Sequence, residues 1–433
     1  MAALRSPPHR LPLRRLPPGH PRPVPPRSPA AAAEQPGLLL AAAARTAPGG
    51  RPSRLRSSMR ILFVTNVGFP PREGIGGHLA GLAHALRQRG ATVEILARGD
   101  RILGWQEGVH RNIPYTLYPH PRLKPFHHRL ARPLLDGWLA RNTRRFDLVH
   151  FHLPLLPPLN TPLPRIVTVH TPMLTDTASV REGRLWPFAM RLNARLFSRG
   201  YEQWHLDHAD LVLTVSRRVA EELALHYRLG PQQPVVLPNG VDTRFFDFVP
   251  LERRAPLLLY VGRLGYRKGL PRLLEAFARL GRRDLELVLL GEGPLRARLW
   301  RRAEELGIAD RVLMPGFADR AEVRAWLQRA ACLVHPADYE GFPLVLLEAM
   351  ACGTPVVTTP IGALAELPPR PPLLVAEPDP DAIAEAVARV FATPGLTAVR
   401  VAAARALVEQ AFDWRVLAGR LLDLYGTLFR EAA

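Results

Sequence analysis

The sequence predicts an α/β protein built from two Rossmann-like domains that face each other across a cleft, and three observations predict it. From Met59 onward, short β-branched runs alternate with amphipathic helical stretches, the pattern of βαβ units around parallel sheets. The alternation occurs twice, broken by the turn Pro238-Asn239-Gly240 and a linker from Pro250 to Pro256. The chain has 433 residues, 47% of them hydrophobic, which is enough for two cores.

In the first series the predicted strands are Ile61 to Val67, Thr92 to Ala97, Asp147 to Phe151, Arg165 to His170 and Leu211 to Val215. Leu79, Leu82, Ala83 and Leu86 recur at helical spacing between the first two. The second series predicts strands at Leu257 to Val261, Leu285 to Leu290, Arg311 to Met314, Cys332 to His335, Pro355 to Thr358 and Leu373 to Val375. Its helical faces are Leu270, Leu273, Leu274, Phe277 and then Val323, Trp326, Leu327, Ala330. Two such domains gather strand carboxyl ends and helix amino ends at the cleft, which is the default site.

Charge is spread unevenly. Lys and Arg number 58 against 38 Asp and Glu, a net +20. Residues 1–58 hold ten arginines, one glutamate and 13 of the 46 prolines, and are read as a disordered extension with Met59 a candidate start. The run Leu38 to Ala44 is too short for a signal sequence, so Arg14-Arg15 is not read as a twin-arginine export signal. No run of eighteen apolar residues occurs, so no helix is expected to span a bilayer and any membrane contact is expected to be peripheral. Two cysteines, Cys332 and Cys352, exclude a disulfide framework and point to a reducing, cytoplasmic compartment. Only Lys124 and Lys268 are lysines, against an arginine-rich background.

Two stretches carry the chemistry. In Glu340-Gly-Phe-Pro-Leu-Val-Leu-Leu-Glu348, Gly341 and Pro343 mark a loop entering a helix, and Gly353-Thr-Pro marks its stop. Were both carboxylates on that helix they would stand roughly 12 Å apart along the axis, too far for a retaining glycosidase pair at about 5 Å. They suit two ends of one long ligand whose diphosphate meets the unpaired N–H groups of the helix start. In Val261-Gly262-Arg263-Leu264-Gly265-Tyr266-Arg267-Lys268-Gly269, a strand ends in a glycine turn bearing cations. Arg263 can fork onto phosphate oxygens and Lys268 can add a point charge. The glycine spacing is not that of a Walker A loop.

With these residues in view, the chain resembles the large retaining glycosyltransferase family called family 4, or group 1, with its two-domain GT-B fold. The resemblance runs from Met59 to about Phe429 through Gly76-Gly77, Val167-Thr-Val-His170, Val215-Ser216, Leu237-Pro-Asn239-Gly240-Val-Asp242, Gly262-Arg263-Leu264, Lys268-Gly269, Gly291-Glu292-Gly293 and the Glu340/Glu348 pair. It implies an acceptor-side N-domain over residues 59–240, a nucleotide-sugar domain over 252–410, and a terminal helix over 411–433 that packs back toward the N-domain. It implies transfer of a sugar from a nucleotide diphosphate to a hydroxyl, with retention, no metal ion and no cofactor beyond the donor.

The implied roles map residue by residue. Arg263 and Lys268 neutralise the departing diphosphate, Glu348 accepts the ribose hydroxyls, Glu340 and His170 contact the donor sugar, and Leu344 and Val345 belong to the helix start that meets the donor. The Gly76-Gly77 loop lets the N-domain approach the phosphates. Pro343 departs from the glycine common in the family, and Gly362-Ala363-Leu364-Ala365-Glu366 departs from its usual second glycine.

Other features complete the reading. Asp379-Pro-Asp381 is read as a helix cap and not a metal site. His127-His128, and His150 with His152, lack cysteine or carboxylate partners and are weak metal candidates, with His152 placed on an inner loop toward the acceptor. Residues 98–145 carry ten basic and three acidic residues. Phe126, Leu130, Leu134, Leu135, Trp138 and Leu139 alternate there with Lys124, Arg129, Arg132, Arg141, Arg144 and Arg145, the composition either of an interfacial segment on an anionic membrane or of a solvated face on a packed helix. Asp176 to Gln203, rich in Arg, Phe and Trp, is expected to face acceptor or membrane. No nucleic-acid partner is expected, since no base-reading motif occurs. The alternatives on the same architecture are a nucleotide-sugar epimerase and a non-catalytic nucleotide-sugar-binding module.

Overall fold

A computed structural model of the chain describes residues 59–71, 74–120, 127–178, 191–231, 233–362, 366–368 and 372–430, without the side chains of 127, 128 and 430. The expected extension over 1–58, Lys124 and Phe126, and residues 363–365 of the departing loop lie outside the described residues.

Ile61, Leu62, Phe63 and Val64 are consecutive and all fully buried, the mark of a central parallel strand covered on both faces. They form β1 (Arg60–Gly68), followed by helix α1 (Gly74–Gln88) and β2 (Thr92–Arg98). Next come β3 (Gln106–His110), β4 (Ile113–Tyr118), α2 (His127–Asn142), β5 (Leu148–Leu153), β6 (Arg165–Val169) and the short α3 (Met173–Ala178). A π-turn over Ala194–Ser198 leads to α4 (Arg199–Asp207), β7 (Leu211–Thr214), α5 (Arg217–His226) and β8 (Val235–Val236). The sheet order is β3-β4-β2-β1-β5-β6-β7-β8, parallel except for the β3–β4 hairpin.

The second sheet is wholly parallel. It comprises β9 (Ala255–Val261), β10 (Glu286–Leu290), β11 (Val312–Gly316), β12 (Ala330–His335), β13 (Val356–Thr358) and β14 (Leu374–Val375), in the order β11-β10-β9-β12-β13-β14. Its helices are α6 (Leu270–Arg279), α7 (Arg296–Glu305), α8 (Arg320–Arg329), α9 (Leu344–Cys352), α10 (Pro380–Ala392) and α11 (Pro394–Leu407). The α/β fold with two Rossmann-like sheets is therefore as predicted. All described residues belong to one compact unit.

Strand order fixes where ligands meet each sheet. The chain reverses its direction of growth between β1 and β5 in the first sheet and between β9 and β12 in the second, and crevices open at the carboxyl ends of such strand pairs. Loops leaving β1, β5, β9 and β12 therefore converge on one region.

Several elements differ from the sequence reading. The β3–β4 hairpin turns at Arg111 and Asn112, both with positive φ (49° and 63°), so the primed-turn geometry is present without the usual Asn-Gly signal. This hairpin and α2 divide residues 98–145, and Leu135, Trp138 and Leu139 are buried in the core. That half of the expected interfacial segment is an ordinary packed helix face. The predicted helical face ending at Ala330 stops at Leu327, because Ala330 already begins β12. The two-residue β8 carries too little pattern to be read. Asp379 caps α10 as expected, accepting from the N–H groups of Asp381 (3.0 Å) and Ala382 (3.1 Å).

The chain end returns to the first domain. Val241 and Asp413 form an isolated bridge, after which α12 (Trp414–Arg430) lies along α1. Trp414, Leu417, Ala418, Leu421 and Tyr425, at helical spacing, join Leu79, Leu82, Ala83 and Leu86 in one buried cluster. Glycines make the close approach: a Cβ on Gly81 would stand 2.3 Å from the Trp414 indole nitrogen, and one on Gly240 2.6 Å from the same ring.

Candidate active site

The turn after β9 is shaped by glycines because backbone packs directly on backbone there. Gly291 (φ 142°) would place a Cβ 2.0 Å from the Gly262 carbonyl oxygen, and Gly269 (φ 63°) would place one 1.9 Å from that of Pro336. Only glycine fits either position. The Gly269 contact presses the 3₁₀ turn Tyr266–Lys268 against the loop that follows β12, bringing Lys268 and Glu340 together as an ion pair. Glu340 therefore sits in the loop before α9, not on the helix with Glu348.

Electrostatics make this pair unusual. Burial, with the guanidinium groups of Arg267 and Arg263 nearby, pushes the Lys268 ammonium down to about 7. Arg263 is exposed and its side chain makes no hydrogen bond among the described residues. Glu348, one turn into α9, is pushed up to about 7 by burial, against the pull of Arg320. It too makes no hydrogen bond among the described residues. Pro343, at the N-cap of α9, has no capping side-chain bond, so the amides of Leu344 and Val345 begin the helix uncapped. His335, at the end of β12, stacks over Tyr260 and lies 3.8 Å from a Glu340 oxygen. Burial and the Lys268 charge push it down to about 3, so its imidazole is neutral.

The N-domain wall stands opposite. Gly76 and Gly77 lie in the first turn of α1 and not in a loop: Gly76 is buried, and Gly77 comes within 3.3 Å, measured from a hypothetical Cβ, of Leu344 at the start of α9. His170 lies one residue past β6, which ends at Val169, and its carbonyl faces Gly341, where a Cβ would stand 2.3 Å away. The structure thus brings Gly77, Leu344, His170, Gly341, Glu340 and Lys268 to one cleft, with Arg263, Val345 and Glu348 on its C-domain side. His152 is in the interior of β5 and fully buried, not on a loop.

Contacts across the cleft hold the two walls together. Asn239 donates its amide N–H to the Phe342 carbonyl (2.5 Å) and presents its amide oxygen to His78 Nδ1 (2.8 Å). Arg267 pairs with Asp176 on α3, and Tyr339 donates to Glu222 on α5 (2.6 Å). Glu366, just past the undescribed part of the departing loop, accepts the Arg217 N–H (2.7 Å), while Gly362 packs beneath the Glu340 carbonyl. Glu202 reaches from α4 to the first amide of α3 (3.2 Å) and takes the Tyr227 hydroxyl, holding the segment after His170.

Sequence reasoning missed His78, Asn239 as a clamp, His335, Arg320 and the Asp176–Arg267 pair. His78 had a signal, since it directly follows Gly77. Arg320 and Asp176 had none, because their partners Glu348 and Arg267 are distant in sequence.

Comparison with known proteins agrees with this architecture. The C-terminal half matches the family described as glycosyl transferases group 1 over residues 242–407, and the N-terminal half matches glycosyltransferase family 4 over residues 72–245. Glycogen synthase of Mycobacterium tuberculosis is 31% identical over 400 residues, covering 85% of this chain and 94% of its own. A glycosyltransferase of Methanocaldococcus jannaschii, itself named uncharacterized, is 26% identical over 85% of this chain and 98% of its own. Among solved structures, sucrose-phosphate synthase from Thermosynechococcus elongatus superposes with a TM-score of 0.72 at 24% identity, covering 86% of this chain and 100% of its own. Anabaena HepE in complex with UDP-glucose superposes at 0.66 and 19% identity, covering 85% and 100%.

The Gly341 contact predicts a separation of closure from stability. Gly341→Ala is expected to wedge the loop off the His170 carbonyl and enlarge the radius of gyration in small-angle X-ray scattering, with the thermal midpoint near that of the parent because neither core is touched. An unchanged radius would show that the cleft absorbs the methyl group locally.

Proposed function

Because the chain belongs to the group 1, family 4 glycosyltransferases, we propose that it transfers a sugar, with retention, from a nucleotide-diphosphate sugar to a hydroxyl on a lipid-linked, glycan or small-molecule acceptor. The observation that carries this reading is the Lys268–Glu340 pair beside the uncapped start of α9, which also bears the Glu348 carboxylate, with Gly341 in the same loop packed against the His170 carbonyl. A diphosphate takes Lys268 and Arg263 as counter-charges and the α9 amides as hydrogen-bond donors. Glu348 accepts ribose hydroxyls, and Glu340, released from Lys268, turns to the sugar with His170. Gly76 and Gly77 leave room at the start of α1 for the donor phosphates. HepE bound to UDP-glucose supports a donor of this class.

Negative charge grows on the leaving diphosphate as the glycosidic bond stretches, and fixed cations stabilise it at no reorganisation cost. The protein's own cations and helix amides supply this stabilisation in the reading proposed, without a metal ion. No side chain is assigned as a covalent nucleophile. The departing phosphate takes the acceptor's proton as attack proceeds on the same face.

The acceptor side has one suggestive surface. Leu130 and Leu134 on α2, with Leu192 and Leu196 before α4, are 40% to 63% exposed among Arg129, Arg132, Arg195 and Arg199. Tyr201 on α4 lies within reach of the Arg129 and Arg132 charges, so the two elements adjoin. We read this patch as a peripheral contact for an anionic membrane at the cytoplasmic face. No single helix among the described residues is long and apolar enough to cross a bilayer.

Thermal stabilisation by UDP, GDP, ADP and dTDP and their sugars tests the donor. A selective shift is expected that Lys268→Ala and Glu348→Ala abolish, with turnover down on the order of 10²- to 10³-fold. No shift with any nucleotide from folded protein would sink the reading, and nucleotide release without any acceptor would favour an epimerase.

Donor affinity should also peak near pH 7. The binding form needs Glu348 ionised and Lys268 protonated, so affinity falls as pH drops below about 7 and again as it rises above about 7. Calorimetry across pH checks both limbs: Glu348→Gln is expected to flatten the acidic one, and Lys268→Arg to remove the alkaline one. For the surface patch, Leu134→Asp with Leu196→Asp should abolish co-sedimentation with vesicles containing anionic lipid; parent protein that stays in the supernatant would refute the membrane contact.

A further inference from the structure

Behind His170 lies a group of imidazoles that the proposed chemistry uses only in part. One nitrogen from each of His78, His152 and His170 falls within a set whose members all lie within 4.8 Å of one another. The residues come from α1, β5 and the end of β6, the elements that flank the switch point of the first sheet. All three are at least 95% buried, and His170, at 5% exposure, is the one nearest solvent.

Hydrogen bonding fixes what the group offers. The Phe342 carbonyl can only accept, so Asn239 must give it the amide N–H and turn its oxygen to His78 Nδ1. His78 Nδ1 must then carry the proton, leaving an Nε2 lone pair. That Nε2 is buried with no hydrogen-bond partner among the described residues. A histidine whose far nitrogen is held by an amide oxygen while its near lone pair is free has the arrangement that orients metal-ligating histidines. Buried polar atoms without partners call for an occupant. His150 supplies the contrast. It stacks on His152 but spends both nitrogens, on Thr168 and Tyr425 at 2.6 Å each.

Spacing and donor type narrow the occupant. His152 Nδ1 and His170 Nε2 face each other at 3.3 Å, a hydrogen-bond distance, so an ion would take the place of the proton they share. Two tetrahedral ligands, each about 2.05 Å from a zinc ion, stand about 3.3 Å apart. Nitrogen donors alone suit zinc, cobalt, nickel or copper and do not suit magnesium or calcium, which require oxygen. Burial keeps all three imidazoles neutral, the form that ligates.

We propose that His78, His152 and His170 form a three-histidine site for a divalent transition metal of the zinc class on the N-domain wall of the cleft, and that an ion held there withdraws His170 from the donor sugar. The site stands on its own geometry. Its consequence for turnover rests on the transferase reading above.

The full chain, tag-free and stripped with chelator, is titrated to equilibrium with Co²⁺ and followed by visible absorption, then competed with Zn²⁺. One ion per chain with the intense bands of four-coordinate cobalt is expected. His78→Gln and His152→Gln should each weaken binding at least 100-fold. His84→Gln, on the same helix but outside the group, should leave it unchanged. Circular dichroism reports whether each variant folds, and X-ray absorption of the zinc-loaded parent needs no variant and is expected to give three imidazoles. The site is overturned by absence of saturable uptake, by fewer than two imidazoles around zinc, or by binding that both folded variants retain. Zinc should lower turnover of the parent and of His84→Gln in proportion to occupancy. Metal binding with untouched turnover would overturn the competition, whereas absence of turnover with every donor would remove the transferase reading and leave the metal titration to decide the site.

Discussion

A single carboxamide joins the three parts on which this protein depends. Asn239 lies where the chain leaves the first domain, and its two polar atoms have partners of opposite kind: the Phe342 carbonyl in the second domain and His78 on the first helix. The Phe342 carbonyl can only accept, so the amide cannot flip without losing that bond at a buried position, where an unmade bond costs about 1–3 kcal/mol. The Glu340-Gly341-Phe342 loop is thereby held at a fixed height against His170, and the tautomer of His78 is set. The residue after Asn239, Gly240, passes close under Trp414, where a Cβ would stand 2.6 Å from the ring.

Three cations in and beside the turn after β9 are already paired. Lys268 has Glu340, Arg267 has Asp176 and Arg272 has Asp338. Burial and the neighbouring Arg267 and Arg263 charges push the Lys268 ammonium down to about 7, so its proton is held less firmly than an exposed lysine's. The carboxylate partners oppose the loss of charge by these cations. Asp176 belongs to the N-domain and Arg267 to the C-domain, so this pair ties the two walls together.

Backbone packs directly on backbone within the C-domain at Gly269 and Gly291, and across to the N-domain wall at Gly341. At Gly269, Gly291 and Gly341 a methyl group would lie 1.9 to 2.3 Å from a carbonyl oxygen, inside any tolerable distance. The first two positions also need a positive φ, and the third does not. Gly341 is therefore glycine for proximity alone, which ties it to the closed arrangement and leaves its own domain indifferent to it.

Fold class was legible in the sequence because burial on both faces writes continuous apolar runs such as Ile61 to Val64, and helices repeat every three or four residues, as Leu79 to Leu86 do. Arg263, Lys268, Glu340 and Glu348 were legible as a group because they follow strands and open helices, where local backbone already presents charge and free amides. What sequence could not supply was distance between residues far apart along the chain. The β3–β4 hairpin turns on a conformation of Arg111 and Asn112 that their identities do not announce, and the choice between a membrane surface and a packed helix for the basic stretch was left open, with half of its apolar residues facing a core that exists only after folding. His78, His152 and His170 are separated by 74 and 18 positions and by strand order alone become neighbours. The sequence by itself determined which groups carry charge and which segments form strands and helices, since both are properties of a residue and its near neighbours. Which histidine keeps a free lone pair, and which carboxylate holds which cation, only the tertiary structure decided, because a hydrogen bond or ion pair is set by the last few ångströms between distant parts of the chain.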